Sequence, residues 1–345
     1  MESWHVVAPR DLRKFDAPEE ETPIEGEARV KIFDVLVAPF DHAVFSGNTA
    51  SAFPVLPGRY AVGKISELYD GYNGYLEKGN RVFIDPHFLD KNFNGDSTPL
   101  QGMDSIKIAG VNRPGFLAPY ASVSTDNLYV LPESVSNENA LYIYLIALAE
   151  SALDKIGEIK GKYIAVIGAC ALGIILCQLL SYYQAVPILI DNRTARLDFA
   201  KSCGVNYAFL NDDNLDSHIN SITGAAFADG AIYVGTGSTV VSTVVFRVVA
   251  PDKNVVFCRT YPGMLQTDLE TALKKQLHVM GVSRATENIS TAINLLANHA
   301  VDVSKFSHGI YSLSRLPEVY RIFEKEYEKE SPSEPMAIVD CYGKL

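Results

Sequence analysis

The first 169 residues contain no cysteine, and the five that follow, Cys170, Cys177, Cys203, Cys258 and Cys341, include no Cys-x-x-Cys pair. That spacing supports neither a disulfide framework nor a thiolate metal cluster. Basic charge is also scarce: 30 Lys and Arg stand against 41 Asp and Glu, a formal net charge of -11. Contact with a phosphate backbone rests on clustered Lys and Arg, so nucleic acid is not expected as a partner. The N-terminus, Met1-Glu-Ser-Trp-His5, lacks a basic flank followed by an apolar core. It does not read as a signal peptide, and a cytoplasmic location is the expectation. Internal repeats and low-complexity segments are absent as well, and the charge run Glu324 to Ser331 reads as a solvated helix end.

One stretch lacks charge altogether. From Tyr163 to Ile190 there is no Asp, Glu, Lys or Arg, and an apolar run of roughly 20 residues is the usual mark of a membrane span. Gly168 and Gly173 interrupt it at turn-like spacing, Gln178 and Ser181 would be stranded in lipid, and Pro187 breaks its second half. A strand, a tight turn, a buried helix and a second buried strand are predicted instead, because parallel strands covered on both faces are apolar throughout. A membrane is therefore not expected as a partner.

With 345 residues and 48% hydrophobic content the chain can bury a large core and fill two domains. Up to about residue 135 it is β-rich, with short runs such as Ala28 to Phe33, Val62 to Glu67 and Arg81 to Ile84 separated by Gly, Pro and Asn. Asn137 to Ser151 is too long for a strand and reads as one buried helix. Strands are then predicted at Tyr163–Ile167, Pro187–Ile190, Tyr207–Leu210, Gly230–Val234, Asn254–Cys258 and His278–Val282, with helix-like segments between them. Such alternation makes a parallel, doubly wound α/β sheet. A helix over 286 to 300 and a strand near Met336 to Cys341 complete the order.

The strongest motif is Gly168-Ala-Cys-Ala-Leu-Gly173, between a strand and an apolar helix. In G-x-G-x-x-G one glycine makes the sharp turn, one lets pyrophosphate approach the backbone and one lets the helix pack on the strand. Two of the three are present, and Cys170 stands at the middle position, where a side chain narrows the room for phosphate. Asp191 ends the second strand roughly 20 residues on, where a carboxylate accepts hydrogen bonds from an adenosine ribose. That charge favours NAD(H) over NADP(H), although Arg193 and Arg196 lie near; Asp191 also reads as the N-cap of the next helix. At the end of the fourth predicted strand, Gly235, Thr236 and Gly237 are small residues at the carboxyl edge where a cofactor crosses.

These segments in this order resemble the medium-chain dehydrogenase/reductase superfamily. The likeness rests on Phe40-Asp41 with Phe45-Ser-Gly47, Leu56-Pro-Gly58, Gly79-Asn-Arg-Val82, Gly115 to Tyr120, Asn127 to Pro132, Gly168 to Gly173, Asp191, Val234 to Ser238 and Met280 to Arg284. It implies a GroES-like β-rich catalytic domain over 1–150 and 288–345, a Rossmann domain over 151–287, and an active site in the cleft between them. Implied cofactor contacts are Gly168, Cys170, Ala171, Leu172, Gly173, Asp191, Asn192, Arg196, Gly235, Thr236, Gly237, Arg259, Ser283 and Arg284. A homodimer or homotetramer is implied too, with the segment from Thr260 to Val282 as its interface.

The departures from the family's pattern carry as much information. Members with catalytic zinc place a Cys where this chain has Ala38, a Gly-His-Glu where it has Gly58-Arg59-Tyr60, and a Cys or Glu at the position of Ile143. Zinc takes thiolate, imidazole or carboxylate, so none of these can ligate it. The stretch from Asp85 to Gly115, where a structural-zinc lobe would lie, has no cysteine. No zinc is expected, and the scattered His42, His87, Asp41 and Asp85 are not expected to replace it. The Ser or Thr that opens the family's proton relay is Phe40 here. Arg59 could then stabilise charge on a reacting oxygen and Tyr60 could donate a proton, with Asp41 and His42 beside them. Phe40, His42, Arg59, Tyr60, Phe88 and Tyr144 suggest a pocket for a small, acidic or phosphorylated molecule. Three readings stay open: a zinc-independent reductase of an activated carbonyl or conjugated alkene, an NAD(H)-binding or scaffold protein without turnover, and a metal-dependent dehydrogenase with unusual ligands.

Overall fold

Alternation in Glu27–Val37 shows how the β-rich part is built. Ala28, Val30 and Ile32 are fully buried while Arg29 and Lys31 between them stay partly exposed, the period of two that a strand with one covered face requires. The computed structural model describes residues 2–16, 22–49, 53–89, 106–235, 239–258, 267–329 and 333–343. Numbering strands along the whole chain, the first unit holds β1 (Glu2–Ala8), β2 (Asp11–Asp16), β3 (Glu27–Val37), β4 (Tyr60–Leu68), β5 (Arg81–Ile84), β6 (His87–Leu89), β7 (Ile106–Ile108), β8 (Tyr120–Ser124) and β9 (Leu128–Val130). The chain returns to it with β16 (Ile310–Ser312) and β17 (Ala337–Asp340). Seven of these strands form one sheet in the order β16-β17-β3-β4-β5-β9, with β8 also pairing β3. Two-stranded β1-β2 and β6-β7 sheets complete the unit, which comprises residues 1–143, 306–325 and 335–345.

The second unit, residues 144–305 and 326–334, holds β10 (Tyr163–Ile167), β11 (Val186–Asp191), β12 (Tyr207–Leu210), β13 (Ala228–Tyr233), β14 (Val249–Cys258) and β15 (His278–Val282). All pair in parallel in the order β12-β11-β10-β13-β14-β15. Strand order reverses between β10 and β13, which places a switch point at their carboxyl ends. One face of this sheet packs Ala165, Ile167, Ile188 and Ile190 with Leu215, Val245 and Phe246. Ile164, Val166 and Leu189, on the alternate face, are buried as completely, so both faces are covered, as the apolar strand sequences require.

The uncharged run is thus a strand, a turn, the helix Ala171–Tyr182 and a strand. Gln178 leaves the apolar face and exchanges hydrogen bonds with the backbone of Asp302, donating from Nε2 at 3.1 Å and accepting at Oε1 at 2.8 Å. Among the described residues no helix is long and apolar enough to cross a membrane. The helix expected over Asn137 to Ser151 is two, Asn137–Ala140 and Ile143–Ile156, broken at Leu141 and Tyr142. Ser136 caps the first by accepting from Asn139 N at 3.2 Å. The expected domain border at 150 falls inside the Ile143–Ile156 helix, and the second unit begins at its start. Composition changes after Pro132, but compactness follows packing, and this helix is buried from Ile143 through Glu150.

Candidate functional site

In the first unit, Pro39 starts the short helix Pro39–Phe45, where its missing N–H costs nothing. Asp41 sits in the first turn and accepts from Ala38 N at 3.0 Å with one carboxylate oxygen and from Gly58 N at 3.0 Å with the other. It therefore ties the turn before β4 to the helix. Burial pushes its carboxyl up to about 6, although the two backbone amides and the Arg59 charge pull it down. At neutral pH it is the ionised acceptor that both amides need.

That tie delivers Arg59 and Tyr60 to the entry of β4, where both are buried. The Arg59 guanidinium lies 4.6 Å from the centroid of the Phe40 ring and 5.5 Å from that of Tyr60, and Nη2 is 3.1 Å from His87 Nε2. A guanidinium can only donate, so His87 Nε2 is the acceptor and the ring proton resides on Nδ1. Nδ1 faces Asp85 Oδ1 at 3.6 Å, the oxygen that also accepts from His87 N at 2.9 Å. Asn127 fixes this strand edge by donating to the carbonyls of Asp85 at 3.1 Å and His87 at 2.8 Å. The structure thus brings Asp41, Arg59 and Tyr60 together. His42 stands differently: its ring packs near Phe45 and Phe323, at 6.2 and 6.3 Å. Burial and the Arg10 charge lower its pKa to about 4, so it is neutral at pH 7. Phe88 lies under Arg113, at 3.9 Å.

These residues do not fit a zinc ion. The two Asp41 oxygens are held by backbone amides, and a fixed cation, Arg59, already engages His87. Among the described residues no group of three or more His, Cys, Asp or Glu could hold a metal.

In the second unit the turn after β10 is set by two glycines. Gly168 has φ +119, and a Cβ there would stand 3.0 Å from Gly235 N. At Gly173 a Cβ would stand 2.0 Å from Gly168 O, so only glycine lets the helix start this close to the strand. Cys170 is the N-cap residue of the Ala171–Tyr182 helix. The Cys170 thiol is buried and donates to the carbonyl of Val234 at 3.6 Å. Burial pushes its pKa up to about 12, and it carries no charge.

Asp191 ends β11 and accepts from Ala169 N at 2.7 Å and Arg193 N at 2.9 Å. The carboxylate therefore braces the turn from behind, and the N-cap of the next helix, Thr194–Ser202, is Arg193 and not Asp191. The side chain satisfies Arg193 N two residues on, before the helix begins. Arg196 is buried on that helix and Asn192 is exposed beside it. Leu172 is buried, which leaves its backbone as the group that can meet a ligand. Gly235 follows β13; Thr236, Gly237 and Arg259 lie outside the described residues. Ser283 and Arg284 are exposed after β15, three strands from β10 and so roughly 14 Å along the carboxyl edge.

Sequence reading missed Glu334 at this turn: its Oε2 accepts from Ala171 N at 2.5 Å. It also missed the pairing of Arg59 with His87. Neither has a local signal, because the partners are 163 and 28 residues apart.

Two family profiles match in succession: the alcohol dehydrogenase GroES-like domain over residues 24–133 and the zinc-binding dehydrogenase domain over residues 171–298. An uncharacterized zinc-type alcohol dehydrogenase-like protein of Haemophilus influenzae is 22% identical over 311 residues, 85% of this chain and 86% of its own length. L-threonine 3-dehydrogenase of Pyrococcus horikoshii is 23% identical over 283 residues, 79% of each chain. An alcohol dehydrogenase from E. coli CFT073, crystallised with NADH, superposes with a TM-score of 0.84 at 19% identity, covering 98% of each chain. A GroES-like domain followed by a Rossmann-type domain, matched in order along the sequence, identifies the chain as a member of the medium-chain dehydrogenase/reductase superfamily.

Proposed function

We propose that this chain is a zinc-independent oxidoreductase that transfers hydride between NAD(H) and an activated carbonyl or conjugated alkene of a small molecule. The observation that carries the zinc-independent part is the buried Arg59 cation, held at 3.1 Å by His87 where zinc-containing members have a ligand pair. The nicotinamide supplies the hydride when the cofactor is bound. Gly168 makes the turn and Gly173 lets the helix start against the strand, the N-terminus of the Ala171–Tyr182 helix attracts the charge of the cofactor's phosphates, and Asp191 favours an unphosphorylated ribose.

For the substrate, Arg59 offers N–H donors and a full positive charge to the oxygen that gains electrons. Rigidity matters here: preorganised donors need not reorient as charge develops, and His87, Asp85 and Asn127 fix the guanidinium in advance. The Tyr60 hydroxyl is the proton donor to the resulting enolate or alkoxide. Asp41 acts at one remove, by holding the Gly58 turn. The protein works as a homodimer or homotetramer, a reading supported by the exposed Val279 on edge strand β15 and by exposed Leu269 and Leu273.

Loss of nicotinamide absorbance with a panel of enones, quinones and aldehydes tests the reading, with elemental analysis of the same preparation. Turnover without stoichiometric zinc is expected, falling about 100-fold in Arg59→Lys. Stoichiometric zinc, or unchanged turnover in Arg59→Lys, would reject this assignment of the site. A second reading, an NAD(H)-binding protein without turnover, is favoured by the carboxylate on Ala171 N; the same assay separates the two.

A further inference from the structure

The Ala171–Tyr182 helix begins at the turn that cradles the dinucleotide phosphates, and its first amide already has an anionic partner. Glu334 Oε2 accepts from Ala171 N at 2.5 Å. This carboxylate comes from the far end of the chain and is held locally: Ser333 N and Oγ both donate to Glu326 Oε1, at 2.9 and 2.8 Å, and Lys329 also pairs with Glu326. The charge of Glu334 is felt on both sides of the turn, by Cys170 and by Arg193. Arg196, 7% exposed, also acts on both residues, and its Nε has no hydrogen-bond partner among the described residues. A buried, incompletely satisfied guanidinium beside an occupied helix N-terminus is the environment of an anion site filled from within.

We infer that Glu334 is an intramolecular competitor for the pyrophosphate position, so that the dinucleotide binds only by displacing its carboxylate from Ala171 N. The inference rests on the dinucleotide reading of the Gly168 to Gly173 turn. Its chemistry is simple: one N–H cannot serve a carboxylate and a phosphate oxygen together, and two anions at one amide repel. Glu334 therefore sets the affinity for NADH and, by the same logic, for ADP, whose diphosphate seeks the same amide.

The test is calorimetric titration of the full chain, its Glu334→Gln and Glu334→Ala variants with NADH and with ADP, with hydrogen exchange at the Ala171 amide in the ligand-free proteins. Removing the competitor should tighten both ligands about tenfold in Glu334→Ala, which is about 1.4 kcal/mol, and by less in Glu334→Gln, which keeps an acceptor. Exchange at Ala171 should quicken in Glu334→Ala. Equal or weaker binding in a Glu334→Ala protein with unchanged melting temperature overturns the inference while leaving the dinucleotide reading intact. If neither ligand binds the parent or either variant, the dinucleotide reading falls and takes the inference with it.

Discussion

Replacing Gly173 by alanine sets two effects of opposite sign against each other. On helix propensity alone the change should stabilise, since alanine is favoured over glycine inside a helix by about 1 kcal/mol. The new Cβ, however, would stand 2.0 Å from the carbonyl oxygen of Gly168. Real Cβ atoms do not come within 3.0 Å of such an atom, so the helix or the strand end must move by about 1 Å. Neither is loose: Gly168 N donates to Ile190 O at 2.8 Å, and the helix is buried along Ala171 to Cys177. Forcing extra volume into packed structure costs about 3 kcal/mol at the upper end of the usual range, which leaves a net loss of about 2 kcal/mol once propensity is deducted. Urea unfolding followed by circular dichroism measures it, with Gly281→Ala as control, because a Cβ at Gly281 meets nothing within 4 Å. The control should stay within about 0.5 kcal/mol of the parent. A Gly173→Ala protein as stable as the parent would refute the claim that glycine is required for this close approach.

Two further outcomes depend on pH. Glu150, buried on the Ile143–Ile156 helix with Tyr183 Oη donating to it at 3.3 Å, has its carboxyl raised from 4.5 to about 7 by burial and by Asp154. Its stabilising share is full below 4.5 and lost as pH rises through 7, so Glu150→Gln should be more stable than the parent by about 1 kcal/mol at pH 8.5 and no more stable at pH 4, as read by thermal melts. His42 has the reverse sign: its pKa is lowered from 6.5 to about 4 by burial and Arg10, so its share is present above 6.5 and lost as pH falls through 4. His42→Gln should lose less stability than the parent between pH 6.5 and 4, and parallel curves would show that His42 is not desolvated.

Legibility in the sequence followed how local each cause is. β10, β12 and β15 have the predicted bounds, since short runs rich in apolar, aromatic and β-branched residues need no distant partner to be recognised. β13 and β14 start earlier than expected, at Ala228 and Val249, because pairing with neighbours extends a strand past its apolar core. The Asn137 to Ser151 segment hid its break, as Leu141 and Tyr142 are apolar and carry no stop signal. That Gly168, Gly173 and Asp191 meet at one turn was readable from their spacing after a strand. The inward turn of the Cys170 thiol, the use of both Asp191 oxygens by backbone amides, and the Arg59–His87 and Glu334–Ala171 pairs depend on chain segments that meet only in the fold.

The Gly168 to Gly173 turn with Asp191 is proposed to bind NAD(H). Calorimetric titration of the metal-free protein with NADH and NADPH in parallel tests it most directly. Saturable NADH binding, with NADPH at least about tenfold weaker because the Asp191 carboxylate repels a 2′-phosphate, is the predicted result. Binding of neither nucleotide, or tighter binding of NADPH, would contradict it.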